Sequence, residues 1–412
     1  MPVNLKAIPD PAAQPAPPVW WVWLLLLVAG LLAGTAYSIV INSGITEINS
    51  EAFWETAFWV PVMLWCTLLF LRIVWYRGQQ ALAEVKDEER DRILQQETRR
   101  GRRCLKVLGI SLHSALRQPD DSEGKMQWNA LQENIQALKT QPSWQSDAGI
   151  RHSRLARTGN EMPEALLSRA ISHTLEELSP VLASVPADTP LALLIESNSS
   201  VPESQLQAIW QQSWQASHIR QSVTRIEGSG LAAIDHWLDH RINDASLLLV
   251  IAWQVAPEQP EGTAEAVVGL LLGHAQRSAG LTPLASLHRP EQTHQASAED
   301  LHYALKQSLD WVPIPADAVT QGWLAGVKAV WHEPIAAGLQ KLSIPAALGR
   351  DLHDLGTTLG YAGPATPWLA IACAAKGCSH GKPQLIVSGD EEAASPLWAT
   401  MVMPTENRSP LT

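Results

Sequence analysis

The sequence predicts an α/β domain carried behind a pair of membrane-spanning helices. Two observations lead there. The first 76 residues hold two long, almost uncharged apolar runs, and beyond Leu105 short apolar runs alternate with stretches of helical periodicity. Composition narrows the classes further. The 412 residues carry 30 Lys+Arg against 41 Asp+Glu, a formal charge of -11, which argues against a nucleic-acid binder because phosphate contacts need a concentrated basic face. Charged residues are only 17% and hydrophobic residues 46%, so the chain is not a disordered acidic protein. Four cysteines cannot frame a disulfide-built fold. Of 18 Trp, against 3 Phe and 4 Tyr, seven precede residue 76.

A Pro-rich start, residues 1–18, is expected to be disordered. Residues 19–76 are expected to form two transmembrane helices. Val19 to Ile41 contains no charged residue and is long enough to cross a hydrocarbon core of about 30 Å. Trp20, Trp21 and Trp23 mark one end as an interfacial aromatic belt. A cleaved signal peptide fits less well, since its apolar region is shorter and its flank basic rather than Pro-rich. In the second run, Ala57 to Tyr76, Arg72 is placed to snorkel and Pro61 lies in the first turn, where its missing donor costs little. The segment joining the runs, Asn42 to Thr56, has no Lys or Arg and carries Glu47, Glu51 and Glu55, whereas Arg77, Lys86, Arg90, Arg92 and the RRGRR cluster at Arg99 to Arg103 come after the second run. This asymmetry puts both termini on the cytoplasmic side of a bacterial inner membrane, and reduced cysteines agree with that side. Residues 77–104 read as a charged helical stalk, and RRGRR as a solvated topogenic cluster rather than a lipid or nucleic-acid patch.

Residues 105–404 form the α/β unit. Strands are expected at Leu105–Ser111, Leu191–Ser197, Ser246–Trp253, Ala266–Gly273, Gln384–Gly389 and Leu397–Met403. Helices are expected at Trp128–Leu138, Glu164–Leu182, Glu203–Ser217, Leu231–Ile242, Ala298–Leu309 and Pro367–Ala375. No heptads and no short-period repeat are present.

In Val223 to Trp253 a strand enters a small-residue turn, a helix comes next, and a buried strand leads away. A turn residue at a helix N-terminus sits where backbone N–H groups favour an anion or thiolate. Here the sequence resembles the β-ketoacyl synthases of the thiolase superfamily, whose nucleophilic cysteine occupies that turn. GTAEAVVGLLLG (Gly262 to Gly273) is similar to the strand opening the synthase second half, and SLDWVPIPADAVT to the strand bringing in the first catalytic histidine. DLGTTLGYAGPATPWLAIACA (Asp354 to Ala374) is similar to the Asn-x-Gly-His element bringing in the second. The resemblance covers Leu191 to Pro404 and implies a thiolase-like layered α/β domain, with a homodimer as the family's usual assembly. Carried over by position, the nucleophile falls on Glu227, the first histidine on Pro315 and the second on Thr357. A carboxylate cannot replace a thiolate in thioester chemistry, and proline has no acid–base function. The chain is also shorter after the stalk than a usual synthase. These departures imply a non-catalytic member, a pseudoenzyme with degenerate catalytic positions and no cofactor.

Other constellations are weaker. His236 and His240 stand four apart on one helix beside Asp235 and Asp239, as two metal ligands would, but an exposed polar face explains them better because no Glu comes after the first His. Cys373, Cys378 and His380 lack a fourth ligand and read as buried thiols; Asp390, Glu391 and Glu392 read as a solvated hairpin turn. No metal site, phosphate loop or Gly-x-Ser-x-Gly elbow is found. The stretches LKVLGISLHSALRQ, WNALQ and AIWQQSW are similar to accessory proteins of type VI secretion such as the lipase adapter proteins, which implies a secretion-system effector or spike component as partner. The reading is therefore a membrane-anchored adaptor. The alternative is a membrane-associated acyl-transferring enzyme of the thiolase superfamily, working through Cys373 or Cys378. An immunity protein would share the binding logic but needs an external or intramembrane surface.

Overall fold

A computed structural model describes residues 3, 5, 8–42, 50–242, 244–274, 281–346 and 350–405. Much of the loop expected between the two spans, residues 43–49 with Glu47, lies outside the described residues. The chain divides into two compact units, Asn4–Glu97 and Thr98–Thr412 with Met1–Val3.

In the first unit α1 (Trp20–Asn42) is succeeded by short α2 (Ser50–Trp54), a π-helical turn (Glu55–Trp59) and α3 (Val60–Gly101). The second helix does not stop at Tyr76. Nothing in the Ala-, Glu- and Gln-rich segment beyond it breaks the helix, so one element carries both the apolar run and the charged one. Trp65 Nε1 of α3 donates to Trp23 O of α1 at 2.7 Å, and the hydroxyls of Ser38 in α1 and Thr56 in the π-helical turn lie 2.7 Å apart, so α1 pairs with the turn and with α3 through their few polar groups. Leu25, Leu32, Phe70 and Leu71 stay exposed. Trp20–Ile41 and Glu55–Gly101 are both long and apolar enough to cross a membrane.

The second unit is built on one 11-stranded sheet of order β11-β10-β12-β13-β8-β1-β7-β6-β4-β5. Its strands are β1 (Cys104–Ser114), β4 (Leu191–Asn198), β5 (Val223–Arg225), β6 (Leu247–Gln254), β7 (Ala266–His274), β8 (Ala285–His288), β10 (Gln321–Ala325), β11 (Leu352–Asp354), β12 (Gln384–Ser388) and β13 (Trp398–Pro404). β9 (Glu291–Gln292) adds beside β13, and β2 (Lys139–Pro142) with β3 (Gly149–His152) makes a separate hairpin. The helices are α4 (Lys125–Gln132), α5 (Pro163–Ala183), α6 (Glu203–Ala216), α7 (Gly230–His240), α8 (Ala298–Asp310), α9 (His332–Lys341), one-turn α10 (Leu355–Thr358) and α11 (Thr366–Gly377).

The order hides a duplication. In the half β5-β4-β6-β7-β1 the pairings run parallel, parallel, antiparallel, antiparallel. The half β11-β10-β12-β13-β8 repeats that series, and the halves join where β1 meets β8 antiparallel. By the same correspondence α5, α6 and α7 match α8, α9 and α11. Each strand feeds two cores. Along β6, Leu247, Leu249 and Ile251 pack with α5 and α6, whereas Leu248 and Val250 face α7 and α11; Leu385 and Val387 of β12 pack with α8 and α9, and Ile386 faces inward. Two-sided burial is why these strands read as unbroken apolar runs. α11 lies in the central layer with Ala370, Ala372, Ala374 and Ala375 all buried, small side chains being what lets a helix fit between two sheet faces.

Two expectations need correction. The segment SLDWVPIPADAVT is not a strand: Ser308–Asp310 end α8, and the chain then runs through a loop with a one-turn 3-10 helix at Ala316–Ala318. Pro313 and Pro315 cannot donate to a ladder, so the strand begins only at Gln321. The helix expected at Trp128–Leu138 instead starts at Lys125, after a left-handed Gly124, and stops before Glu133 and Asn134, the latter at φ 54°.

Candidate functional site

The duplication brings the N-termini of the two central helices to one place. Gly230, the first residue of α7, takes φ 48°, and Gly363, in the turn ahead of α11, takes φ 53°. A Cβ on Gly363 would run into the Gln254 carboxamide, so that turn needs glycine for close approach, whereas at Gly230 the left-handed φ alone favours it. Between them lies a cleft of about 330 Å³ lined by Glu196 from the end of β4, Ser229, Tyr361, Pro367, Ser388 and Asp390.

Ser229 is the N-cap of α7, exposed, and its hydroxyl makes no capping bond. The first-turn amides of α7 have no intrahelical acceptors and favour developing negative charge. One is already taken: the Glu196 carboxylate accepts from Gly230 N at 2.8 Å, and from Trp368 Nε1 at 2.9 Å. Burial raises the proton affinity of Glu196, and those two hydrogen bonds oppose the rise. The Tyr361 phenol is pushed up to about 12 by burial and by Asp390, Glu391 and Glu392, so it stays protonated at neutral pH. Below the cleft, Gln254 accepts from Asn198 at 2.8 Å and donates to the Ala264 and Tyr361 carbonyls, fixing the turn before α11. The site can therefore present a serine hydroxyl, a carboxyl with raised proton affinity and helix-terminal amides to one ligand.

Glu227 lies exposed on the turn before α7, two residues ahead of the N-cap. Pro315 caps the one-turn helix at Ala316–Ala318, and Thr357 sits in α10, its hydroxyl donating to Asp354 O at 3.0 Å. None of the three lines the cleft. Sequence reasoning passed over Ser229, Glu196 and Tyr361; the available signals were a Gly-Ser-Gly turn opening a helix and a lone carboxylate ending the apolar strand LALLIES.

His236 and His240 are exposed and stack on each other with ring centroids 4.2 Å apart, but Asp235 and Asp239 do not share that face. Their carboxylates meet Arg289, which is 0% exposed, each at 2.5 Å, and Asp239 also pairs with Arg100. RRGRR is thus not wholly solvated: Arg100 is a partner of α7, and Arg103 donates to Leu238 O at 2.9 Å. Cys373 and Cys378 are buried and burial pushes both thiols up, Cys378 to about 12. Neither is a ready nucleophile.

No family model matches the chain, and no curated protein matches it. Solved structures do. The oxazolomycin ketosynthase domain KS7 of Streptomyces albus JA3453 matches with a TM-score of 0.53 at 9% identity, covering 74% of this chain and 74% of that one. The ketosynthase from module 6 of the bacillaene synthase of Bacillus subtilis 168 gives 0.52 at 9%, covering 74% and 72%. A type II PKS acyl-carrier protein in complex with its ketosynthase bound to the hexaketide gives 0.51 at 11%, covering 74% and 99%. The α/β unit therefore has the thiolase-like fold. The expectation of a pseudoenzyme is corrected by the same likeness, because the structures sharing the fold are ketosynthases and the fold is an enzyme's. Glu227, Pro315 and Thr357 do not line the cleft, so their chemistry does not decide what the cleft does.

Proposed function

We propose that the chain is a membrane-associated acyl-transferring enzyme whose reaction centre is the cleft at the start of α7. The observation that carries this reading is the N-cap hydroxyl of Ser229, free of its own helix and exposed beside the Glu196 carboxyl. In the proposed step Ser229 Oγ attacks the carbonyl of an acyl thioester. The Oγ–acyl bond forms, the C–S bond breaks, and the Ser229 proton passes through Glu196 to the departing thiolate. The amides of Leu231 and Ala232, in the first turn of α7, supply the partial positive charge for the oxyanion. Membrane association is supported by the length and apolarity of α1 and the first part of α3, and the Lys/Arg asymmetry around the spans favours both termini on the cytoplasmic side.

The test is incubation of the purified chain with an acyl thioester, then intact-mass measurement and peptide mapping. One acyl group is expected on Ser229. Ser229→Ala should lower the adduct by about three orders of magnitude, Glu196→Gln by about a hundredfold, and the Cys373→Ser, Cys378→Ser double variant should leave it unchanged. An adduct confined to cysteine would defeat the assignment of Ser229. Absence of any adduct, together with stoichiometric co-purification of a secretion effector or spike component, would replace the enzyme reading with that of an adaptor.

A further inference from the structure

A second cavity, of about 310 Å³, opens at the opposite end of α11 from the cleft and shares no residue with it. Its walls are Ile110 and Leu112 of β1, Trp128 and Leu131 of α4, and Ala372 of α11, with Lys376 from the last turn of α11 also lining it. Ile110 and Leu112 sit on a strand in the middle of the sheet and pack against the central core, yet both remain only partly buried, because α4 and α11 leave the cavity open above them. Arg117, Ser122, Glu123, Gln127 and Glu177 add polar groups to the lining, and an apolar wall with a small number of polar groups beside it is the usual build of a small-ligand site.

Among these polar groups Lys376 is unusual in its partners. The half-buried Lys376 ammonium donates to the main-chain oxygens of Glu123 at 3.2 Å and Gly124 at 3.4 Å, and among the described residues no carboxylate lies within 4.0 Å of it. The nearby carboxylates are engaged elsewhere. Glu177 pairs with Arg117, Glu123 with Lys125 at 2.5 Å, and Asp121 accepts from Gln127 N at 2.8 Å. Burial lowers the proton affinity of Lys376; Asp121 and Glu177, acting through space without contact, oppose the fall but do not reverse it, and Arg117 adds to it. A half-buried cation beside an apolar hollow is compensated best by an anion that brings its own apolar chain.

We propose that this cavity binds a single-chain alkyl carboxylate, with the chain on Ile110, Leu112, Trp128 and Ala372 and the carboxylate on Lys376. The site is separate from the acyl-transfer cleft and does not depend on that reaction.

The test is photo-crosslinking of the full chain in lipid nanodiscs with a diazirine analogue of decanoate, the adducts being mapped by mass spectrometry. Adducts are expected in the peptides holding Ile110–Leu112, Trp128 and Ala372–Lys376. Lys376→Met and the cavity-filling Leu112→Trp should each reduce them about tenfold or more at unchanged helical content. Ser229→Ala should not alter them, which separates this site from the cleft. Adducts confined to α1 and α3 or to the cleft, wild-type labelling in both Lys376→Met and Leu112→Trp, or equal labelling by the matching decanol analogue would each overturn the proposal.

Discussion

Replacing Arg289 by Met should destabilise the α/β unit by about 3–5 kcal/mol, read as a shift of the denaturant midpoint monitored by tryptophan fluorescence. The guanidinium is 0% exposed and bridges Asp235 and Asp239, each at 2.5 Å. Removing it strips a buried counter-charge from two carboxylates that are themselves nearly inaccessible, so the loss is the desolvation of acids rather than the worth of one ion pair. Arg100 meets Asp239 from the last turn of α3 with a side chain that is 28% exposed, and Arg100→Met should cost only about 1 kcal/mol. The triple replacement Arg289→Met, Asp235→Leu, Asp239→Leu should recover most of the single-variant loss, because apolar residues of similar size need no counter-charge. A midpoint for Arg289→Met close to wild type would show that water reaches the cluster and that the network does not hold α7. The consequence for function is positional: Asp235 and Asp239 lie on the helix whose first turn carries the cleft, so the same variant should slow acylation at Ser229.

That network also shows what a linear reading can and cannot reach. β4 and β6 were legible because burial on both faces leaves an uninterrupted apolar signature, and α5 and α8 because one apolar stripe repeats at helical spacing. β8, β10 and β11 were not legible: each has five residues or fewer, and Gly322 of β10 and His353 of β11 interrupt the pattern. α9 escaped because Pro334 sits in its first turn, where proline is tolerated but reads as a breaker. RRGRR read as solvated because the partner of Arg100 lies 139 residues further on, beyond any local pattern. The cleft divides the same way. The Gly-Ser-Gly turn was visible as the opening of a helix, but Glu196 and Tyr361 reach it only through the crossovers of a duplicated sheet, and no spacing encodes that.

The pH dependence of stability should carry a signature of Glu291. Burial, opposed by the hydrogen bond from Trp311 Nε1 at 2.6 Å, raises this carboxyl from the ordinary 4.5 to about 8; Asp235 adds to the rise, and Arg289 and Arg100 oppose it. Between about 4.5 and about 8 the native carboxyl keeps a proton that the unfolded one has lost, so native stability falls as pH rises through that window. The full effect is on the order of 4 kcal/mol. Two buried histidines act in the opposite sense over an overlapping range. His113, lowered to about 3, and His288, lowered to about 4, are neutral in the native state while their unfolded counterparts bind protons up to about 6.5, so they add stability as pH rises to that value. Glu196, Glu265 and Asp354, also raised by burial, titrate in the same sense as Glu291, so its signature is read from the difference between wild type and a variant that cannot ionise at this position. Glu291→Gln keeps the Trp311 acceptor and cannot ionise. It should match wild type near pH 4.5 and gain on it steadily up to about pH 8, after which the difference stops growing. Because all other groups are common to both chains, their titrations cancel in the difference. A wild-type minus Glu291→Gln difference that stays constant from about pH 5 to about pH 9 would mean that Glu291 ionises normally and that the cluster around Arg289 carries a third carboxylate charge.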